Sequence, residues 1–277
     1  MPVITFWSNN EKAIGQSIAA SVAATVMAIE HNYKVLLISA DFNNNTIEES
    51  FGAQESNKEI LKSLVKRQQI NLESGINGLL KLAESNRVTP EVIHDYTKIV
   101  FTNRLEILYS PIKVAENQKK GTMQKLKNII LNASRYYDQV IVDLRKGLEY
   151  SEQVEILDSS DVIVANVDQK MKNIEEFFNI EIFDKIYHKI IWNICRHNKD
   201  SKYNIKNLSR TIFKKQVVCQ TNYNTLISDV AQEGNLAELM LRFRSIKEDE
   251  ETVEFMKKIN ELNEAILLRY QELRTRM

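Results

Sequence analysis

The residues best suited to chemistry lie near the amino terminus, in a polar loop that joins an apolar stretch to a run of small side chains. The stretch Val3–Trp7 is predicted to be a strand, and a helix is predicted over Ser17–Glu30. Between them the loop ends in Gly15-Gln16-Ser17. A strand, a polar loop and a helix start form the layout of a phosphate-binding loop, where backbone N–H groups face an anion. The candidate phosphate-binding residues are therefore Gly15, Gln16, Ser17 and Ile18.

The lysine that grips phosphate in such loops is missing. In the motif G-x-x-x-x-G-K-[ST] the lysine follows the last glycine, whereas here Gln16 follows Gly15. Lys12 is either a displaced substitute for that lysine or a solvated loop residue. Ser17 keeps the hydroxyl that ligates magnesium in this motif, although serine is also common at helix starts. The loop thus retains the backbone of a phosphate site without its main cation.

Three further polar residues lie at or beyond the ends of predicted strands. Asp143 ends a buried strand, where a carboxylate rarely lies without a partner, and it is the strongest functional candidate of the three. Asp41 follows a second buried strand and is either part of the same site or a turn residue. Asn193 near the end of a third strand is either a ligand contact or a satisfied polar group.

The positions of these candidate residues depend on how strands and helices alternate along the chain. Short apolar runs of this kind are typical of strands in a parallel sheet that is covered on both faces. After the first strand and helix, the remaining strands are predicted at Lys34–Ala40, Leu105–Tyr109, Asp138–Leu144, Asp161–Val167, Lys189–Ile194 and Gln216–Cys219. The longer helices are predicted at Thr46–Arg67, Ser74–Asn86, Gln118–Ser134 and Ile227–Phe243, with another starting at Thr89-Pro90-Glu91.

This order predicts an α/β protein with a doubly wound, mainly parallel sheet flanked by helices. Ligands of such sheets bind at the carboxyl ends of the strands, which is where the candidate residues lie. We expect one domain over residues 1–245, followed by a different segment over residues 246–277. That segment carries Phe255, Ile259, Leu262, Ile266 and Tyr270 at helical spacing. The amphipathic helix either packs on the domain or mediates association with a partner or a second copy.

Composition excludes several classes of function. Lys plus Arg equals Asp plus Glu at 37 each, so there is no strong signal for nucleic acid. Cys195 and Cys219 are expected to be buried thiols, and the four histidines have no metal-ligand spacing. No apolar run reaches the roughly 18 residues of a membrane span. We expect a cytoplasmic protein, with peripheral attachment at the inner face of the membrane as an open alternative.

Taken together, the loop ending Gly15-Gln16-Ser17, the strand ending before Asp41 and the strand Asp138–Leu144 resemble the ParA/MinD family of P-loop ATPases. The resemblance covers the chain from Val3 to about Phe243. It implies ATP and magnesium as cofactors, with Ser17 and Asp143 as magnesium ligands and Asp41 as the residue that positions the attacking water. It also implies that Asn193 contacts adenine, that Leu144–Gly147 is the switch II segment, and that Ala231-Gln232-Glu233-Gly234 is the family's late Ala-x-x-Gly helix.

The chain departs from the family at the residues that catalyse hydrolysis. Aligned on Gly15, Glu11 takes the place of the deviant lysine that crosses the family's dimer, and Gln16 takes the place of the second lysine. A carboxylate in place of the lysine repels a phosphate that the lysine would attract. Two unit charges 4 Å apart interact by about 4 kcal/mol at an effective dielectric of 20. Cations carry much of the catalysis of phosphoryl transfer. We therefore expect weak binding of ATP and no efficient hydrolysis.

Degenerate loops of this kind are similar to the TadZ/CpaE branch, which implies a role in Tad (Flp) pilus assembly. The first hypothesis is a non-catalytic or very slow ATPase-like localisation or scaffold factor, a homodimer with protein partners in a pilus or another membrane-associated machine. The alternative is an active ATPase of the DNA-partitioning type in which Lys12 serves as the catalytic lysine. ATP turnover distinguishes the two.

Overall fold

A single eight-stranded sheet forms the centre of the molecule. The computed structural model describes residues 1–9, 15–40, 45–52, 75–85, 87–109, 116–144, 150–243 and 249–275. The spatial order of the strands is β3-β4-β2-β5-β1-β6-β7-β8, and every pair is parallel except β3 with β4. The strands are β1 Val3–Trp7, β2 Val35–Ala40, β3 Lys98–Phe101, β4 Leu105–Leu108, β5 Gln139–Leu144, β6 Val162–Val167, β7 Ile190–Cys195 and β8 Val218–Thr221.

Helices connect the strands and cover both faces of the sheet. The first half of the chain contains α1 Gln16–Glu30, α2 Thr46–Ser50, α3 Gly75–Glu84, α4 Pro90–Asp95 and α5 Glu116–Ala133. The second half contains α6 Tyr150–Ser159, α7 Met171–Phe178, α8 Phe183–Ile186 with a short 3-10 turn after it, α9 Ile205–Thr211, α10 Thr225–Gln232, α11 Leu236–Arg242 and α12 Glu250–Thr275.

The two faces of the sheet carry separate apolar cores because side chains alternate along each strand. One core joins the sheet to helices that include α5 and α7, and Trp7, Phe177 and Trp192 pack edge to face within it. The other core joins the sheet to α1, α10, α11 and α12. The small side chains of α1 let this helix lie close to the sheet, and nearly all of its residues are buried.

The helix α12 is part of this second core. Phe255, Ile259, Leu262 and Ile266 are buried against α1 and the β6-β7-β8 side of the sheet, and Tyr270 packs at the border. The side-chain amide of Asn263 also donates to the carbonyl of Ala23 on α1 at 3.2 Å. The apolar stripe is therefore buried within its own domain.

Several elements differ from the predictions. The strand predicted at Gln216–Cys219 is β8, Val218–Thr221. The helix predicted at Thr46–Arg67 ends at Ser50 as α2, and residues 53–67 lie outside the described part of the chain. The predicted helix Ile227–Phe243 is two helices, because Gly234 adopts a left-handed conformation (φ +80°) that ends α10 before α11 begins. The short antiparallel strand β3 was not predicted. It pairs with β4 across a turn at Asn103, whose φ of +59° suits asparagine. In the described part of the chain, no helix is long and apolar enough to cross a bilayer.

Candidate functional site

The candidate site lies at the carboxyl end of β1, in the middle of the sheet. From β1 the chain passes over β5 to reach β2, and later strands continue on the other side through β6. This reversal of strand order opens a crevice at the carboxyl ends of the central strands. The start of α1 lies at that crevice, since Gln16 contacts the ends of β1 and β5.

Gly15 and Gln16 form the described end of this loop. Gly15 has a φ of +91°, a left-handed conformation that glycine adopts readily, and it directly precedes α1. Gln16 is completely buried. Its side-chain amide nitrogen lies 3.0 Å from the carbonyl oxygen of Phe6, 2.6 Å from Asp143 Oδ1 and 3.1 Å from the carbonyl oxygen of Leu144. Gln16 therefore ties the end of β1 to the end of β5.

Asp143 and Ser17 lie beside this contact. Asp143 is 1% exposed and pairs in register with Phe6 of β1, and Ser17 is 3% exposed in the first turn of α1. Of the residues predicted from the sequence, the structure thus brings Gln16 into contact with Asp143 and places Ser17 next to Gln16 in the first turn of α1. The acceptor nearest to the amide of Gln16 is the Asp143 carboxylate, and hydrogen bonds to charged groups are worth about 1.5–3 kcal/mol.

Asn193 lies in a separate buried network on β6, β7 and β8. Its amide nitrogen donates to Asn166 Oδ1 at 2.9 Å, and its Oδ1 accepts from the hydroxyl of Thr221 at 2.7 Å. The thiol of Cys195 also donates to Asn166 Oδ1 at 3.3 Å, and burial raises the pKa of this thiol to about 12, so it remains protonated. Asn193 is completely buried. Its polar atoms already have partners, and contact with adenine stays a prediction.

Sequence patterns missed Asn166 and Thr221, although each resembles Asn193. Asn166 is the single polar residue of an otherwise apolar strand, and Thr221 ends a strand that also contains Gln220. Such residues need buried partners, and here they find one another across three neighbouring strands. The available signal was their recurrence at equivalent places in successive strands.

A small pocket opens at the same edge of the sheet. Gly15 and Ile18 line it from the start of α1, and Arg196 and Tyr223 line it from the segments after β7 and β8. The guanidinium of Arg196 lies 5.6 Å from the ring centre of Tyr223. The space inside this partly open pocket is about 40 Å³, far below the roughly 300–1,000 Å³ of typical ligand sites. The pocket therefore accepts a nucleoside only if these side chains move.

Several predicted site residues lie outside the described residues. Glu11 and Lys12 precede Gly15, and Asp41 follows β2, all three in segments that the structure does not describe. The proposed switch II segment is described only at Leu144. Their roles remain predictions from the sequence.

Comparison with known proteins identifies the fold. No protein-family model and no curated protein matches the chain. Among solved structures, a ParA family ATPase from Chlorobium tepidum is 13% identical with a TM-score of 0.68, and it aligns over 95% of this chain and 98% of its own.

Two MinD structures show the same likeness. MinD from Pyrococcus horikoshii, complexed with Mg-ADP, is 15% identical with a TM-score of 0.66 over 97% and 98% of the two chains. The MinC:MinD complex from Aquifex aeolicus matches with 16% identity and a TM-score of 0.64 over 96% of each chain. The chain therefore has the ParA/MinD type of P-loop fold. This confirms the predicted doubly wound, mainly parallel sheet with a C-terminal helix.

Proposed function

We propose that this protein is a ParA/MinD-like factor whose degenerate P-loop makes it a non-catalytic or very slow ATPase that acts in localisation or as a scaffold. The observation that carries the proposal is the place of Gln16. The residue at the lysine position of the loop is neutral, completely buried and hydrogen-bonded to Asp143 and two strand-end carbonyls. We infer that a side chain with these hydrogen bonds stabilises the sheet and does not bind phosphate.

The chemistry of the site fits Mg-ATP poorly. For Gln16 to contact phosphate, its amide must leave three acceptors, one of which is charged, at a cost of about 1.5–3 kcal/mol for the charged hydrogen bond alone. Its neutral amide then supplies none of the charge stabilisation that cations give to phosphoryl transfer. The pocket beside Gly15 and Ile18 is also too small for a nucleoside as it stands. Ser17 and Asp143 remain the candidate magnesium ligands if nucleotide binds.

Weak binding of nucleotide is still expected. The N–H groups at the start of α1 and the helix dipole, worth about 0.3–1 kcal/mol for an anion, do not depend on the side chains. Two missing lysine contacts, at about 1.5–3 kcal/mol each, lower the affinity by about two orders of magnitude or more.

The setting of this role is proposed from the resemblance to the TadZ/CpaE branch. We place the protein in Tad (Flp) pilus assembly or a related membrane-associated machine, as a homodimer with protein partners. A MinD of the same fold assembles with MinC, which shows that this scaffold can present a surface to another protein. The buried stripe of α12 is not that surface.

ATP turnover by the purified protein tests the proposal. We expect hydrolysis at the background rate, and the same rate for Lys12→Ala and for the control Lys206→Ala on α9. A Glu11→Lys, Gln16→Lys double variant is expected to bind ATP at least about tenfold more tightly by calorimetry, because it regains two charged contacts.

Hydrolysis that disappears in Lys12→Ala but persists in Lys206→Ala contradicts the scaffold role. It establishes instead the alternative, an active partitioning-type ATPase that uses Lys12. A submicromolar dissociation constant for ATP in the unaltered protein contradicts the expected weak binding.

A further inference from the structure

β8 is an open edge of the central sheet, because it is the last strand in the sheet order and pairs only with β7 among the strands that the structure describes. Trp192 N donates to Val217 O at 3.0 Å, and Trp192 pairs in register with Val218. Residues 217 and 219 therefore turn their backbone groups towards β7. Val218 and Gln220 turn theirs outward, because direction alternates along a strand. No hydrogen bond from a described residue reaches these outward groups, and such an edge can accept another strand.

A polar groove of about 430 Å³, which we call the β8 groove, lies at the carboxyl end of this strand. Gln220, Asn222 and Tyr223 line it from β8 and the residues after it. Its charged lining residues are two cations and three carboxylates, namely Arg196, Lys199, Asp200, Glu251 and Glu254. His197 also lines the groove and is neutral while its Nε2 accepts the N–H of Ile205 at 3.2 Å. Two cations against three carboxylates leave a net charge of −1, which favours a cationic partner.

Two lysines lie at the other end of the same strand. Lys214 and Lys215 belong to the turn that precedes β8, and both are exposed. Neither these lysines nor the charged residues of the β8 groove form an ion pair with a residue that the structure describes. Residues 201–217 contain five lysines and arginines and no acid. The amino end of β8 is therefore positive, whereas the groove at its carboxyl end has a surplus of carboxylates.

Antiparallel pairing of two β8 strands brings these opposite ends together. In a two-fold arrangement centred on Cys219, the outward backbone groups of Val218 in each copy pair with those of Gln220 in the other. Lys215 and Tyr223 lie equally far from Cys219 along the chain. The same register therefore places Lys215 of each copy opposite Tyr223 of the other, which is a lining residue of the β8 groove.

We propose that a second copy of this protein binds at the β8 edge, with the two β8 strands antiparallel and Lys214 and Lys215 of each copy beside the β8 groove of the other. One sheet then continues through the dimer. A second copy supplies both an open strand edge and the unpaired cations that the net charge of the groove favours. The inference rests on the homodimer of the proposed function and names its surface, which is separate from the loop at Gly15.

Sedimentation velocity of the full-length protein without nucleotide tests this interface. We expect a dimer with a dissociation constant below about 100 μM. Lys214→Glu with Lys215→Glu places carboxylates beside a groove of net negative charge. Glu251→Lys with Glu254→Lys leaves four cations and one carboxylate in a groove that faces lysines. Each double variant is expected to weaken self-association at least about tenfold, and circular dichroism verifies that both are folded.

A mixture of the two double variants distinguishes this interface from a general effect of charge. In the heterodimer each groove faces residues of opposite charge, so we expect association to recover to within about threefold of the unaltered protein. Fluorescent labelling of one variant identifies the heterodimer. Lys206→Glu with Arg210→Glu is the control, because it makes the same charge change on α9 and should change association by less than about threefold.

Val218→Pro tests the strand pairing. It removes an outward N–H that the sheet does not use, and proline is tolerated at such positions of edge strands. We expect a folded protein whose self-association is at least about tenfold weaker. Unchanged association of the folded variant overturns the strand pairing.

Two further results overturn the inference in different ways. A protein that is monomeric at 100 μM, flagged here as roughly the upper limit of the expected dissociation constant, removes both this surface and the homodimer of the proposed function. A dimer that both double variants form as well as the unaltered protein, or a mixture that does not recover association, removes this surface alone. ATP turnover tests the non-catalytic role independently of either result.

Discussion

Glu106 is a buried carboxylate near the amino end of β4, on the opposite edge of the sheet from the candidate site. It is 1% exposed and accepts hydrogen bonds from Tyr137 and from Thr97 at 2.9 Å, and His94 Nδ1 lies 2.8 Å from the same oxygen. Lys34 Nζ lies 3.8 Å from the other oxygen. The cluster holds α4, β2 and β4 together with the residues that precede β5.

This cluster predicts a loss of stability in acid. Burial raises the pKa of Glu106, but hydrogen bonds from Tyr137, His94 and Thr97 outweigh burial and hold the pKa below its ordinary value. A carboxyl whose pKa is lowered by folding stabilises the protein above its unfolded pKa of about 4.3. That stability disappears as the pH falls through the lower pKa of the folded state.

We therefore expect Glu106→Gln to lower the free energy of unfolding by about 1–3 kcal/mol at pH 7. Urea unfolding from pH 7 to pH 3 should show a smaller acid-induced loss in this variant than in the unaltered protein. Glu264→Gln, at an exposed position on α12, is the control and should change neither quantity measurably. Equal pH dependence in all three proteins contradicts the role of Glu106.

At the residue scale, the sequence predicted that Gln16, Ser17 and Asp143 belong to one site, because strand-end residues of a parallel sheet meet at one edge. It did not predict what Gln16 contacts. A glutamine after Gly15 is equally compatible with an amide directed at a ligand and with one folded under the loop. What the side chain of Gln16 contacts depends on whether Phe6 O, Leu144 O and Asp143 lie within hydrogen-bonding distance of its amide. Their positions follow from the register between β1 and β5.

At the scale of elements, Gly52 at the end of α2 and Gly234 at the corner that joins α10 to α11 approach each other closely. A Cβ added to Gly234 would lie 2.7 Å from the Cα of Gly52, and Gly234 has a φ of +80°. Lys98 Nζ also donates to Phe51 O at 2.8 Å, which fixes the end of α2 against β3. The position of α2, which follows the segment that contains Asp41, thus depends on the close approach of these two glycines.

Gly234→Ala is expected to destabilise the protein by about 2–4 kcal/mol, as the sum of backbone strain and a backbone clash. Gly121→Ala is the matched control, since Gly121 also has a positive φ (+118°) but no atom within 4 Å of an added Cβ. It should show only the strain, at about 1–3 kcal/mol. Chemical denaturation of both variants measures the difference. An equal loss in the two contradicts the contribution of the Gly52 contact.

Strands were predictable from the sequence where the apolar run was long enough for the strand to be buried on both faces of the sheet. The strands β1, β2, β5 and β6 agree with the predictions to within a residue at each end, because each is a fully buried run. β3 has only four residues and none is fully buried, so its pattern carries little signal. The break in the predicted helix Ile227–Phe243 was signalled only by Gly234, and a glycine within a helical pattern does not by itself end a helix.

At the scale of the whole molecule, α12 connects the end of the chain to its beginning. Asn263 on α12 contacts Ala23 on α1, 240 residues away in the sequence, and the same core includes β1. The periodicity of α12 predicted an apolar stripe but not its partner, because packing on the domain and packing on a second copy require the same pattern. The structure assigns the stripe to the domain.

One side of α12 is buried and the other is exposed, so the same pair of substitutions should unfold the protein on the first side and be tolerated on the second. Ile259→Glu with Ile266→Glu places two carboxylates in the core, at positions that are completely buried. Unpaired buried charges cost several kcal/mol each, which is comparable to the total stability of about 5–15 kcal/mol of a domain. We expect the double variant to be unfolded, as measured by circular dichroism and thermal denaturation.

Val253→Glu with Leu268→Glu makes the same chemical change on the outer side of α12, where the side chains are 51% and 56% exposed. This pair should change the free energy of unfolding by no more than about 1 kcal/mol, since each substitution is at the surface. Sedimentation velocity on both pairs, with and without Mg-ATP, then separates folding from association. If the Ile259→Glu, Ile266→Glu variant is a folded monomer while the unaltered protein is a dimer, α12 must leave the core to form an interface. Only in that case do carboxylates on the stripe abolish association without unfolding the domain.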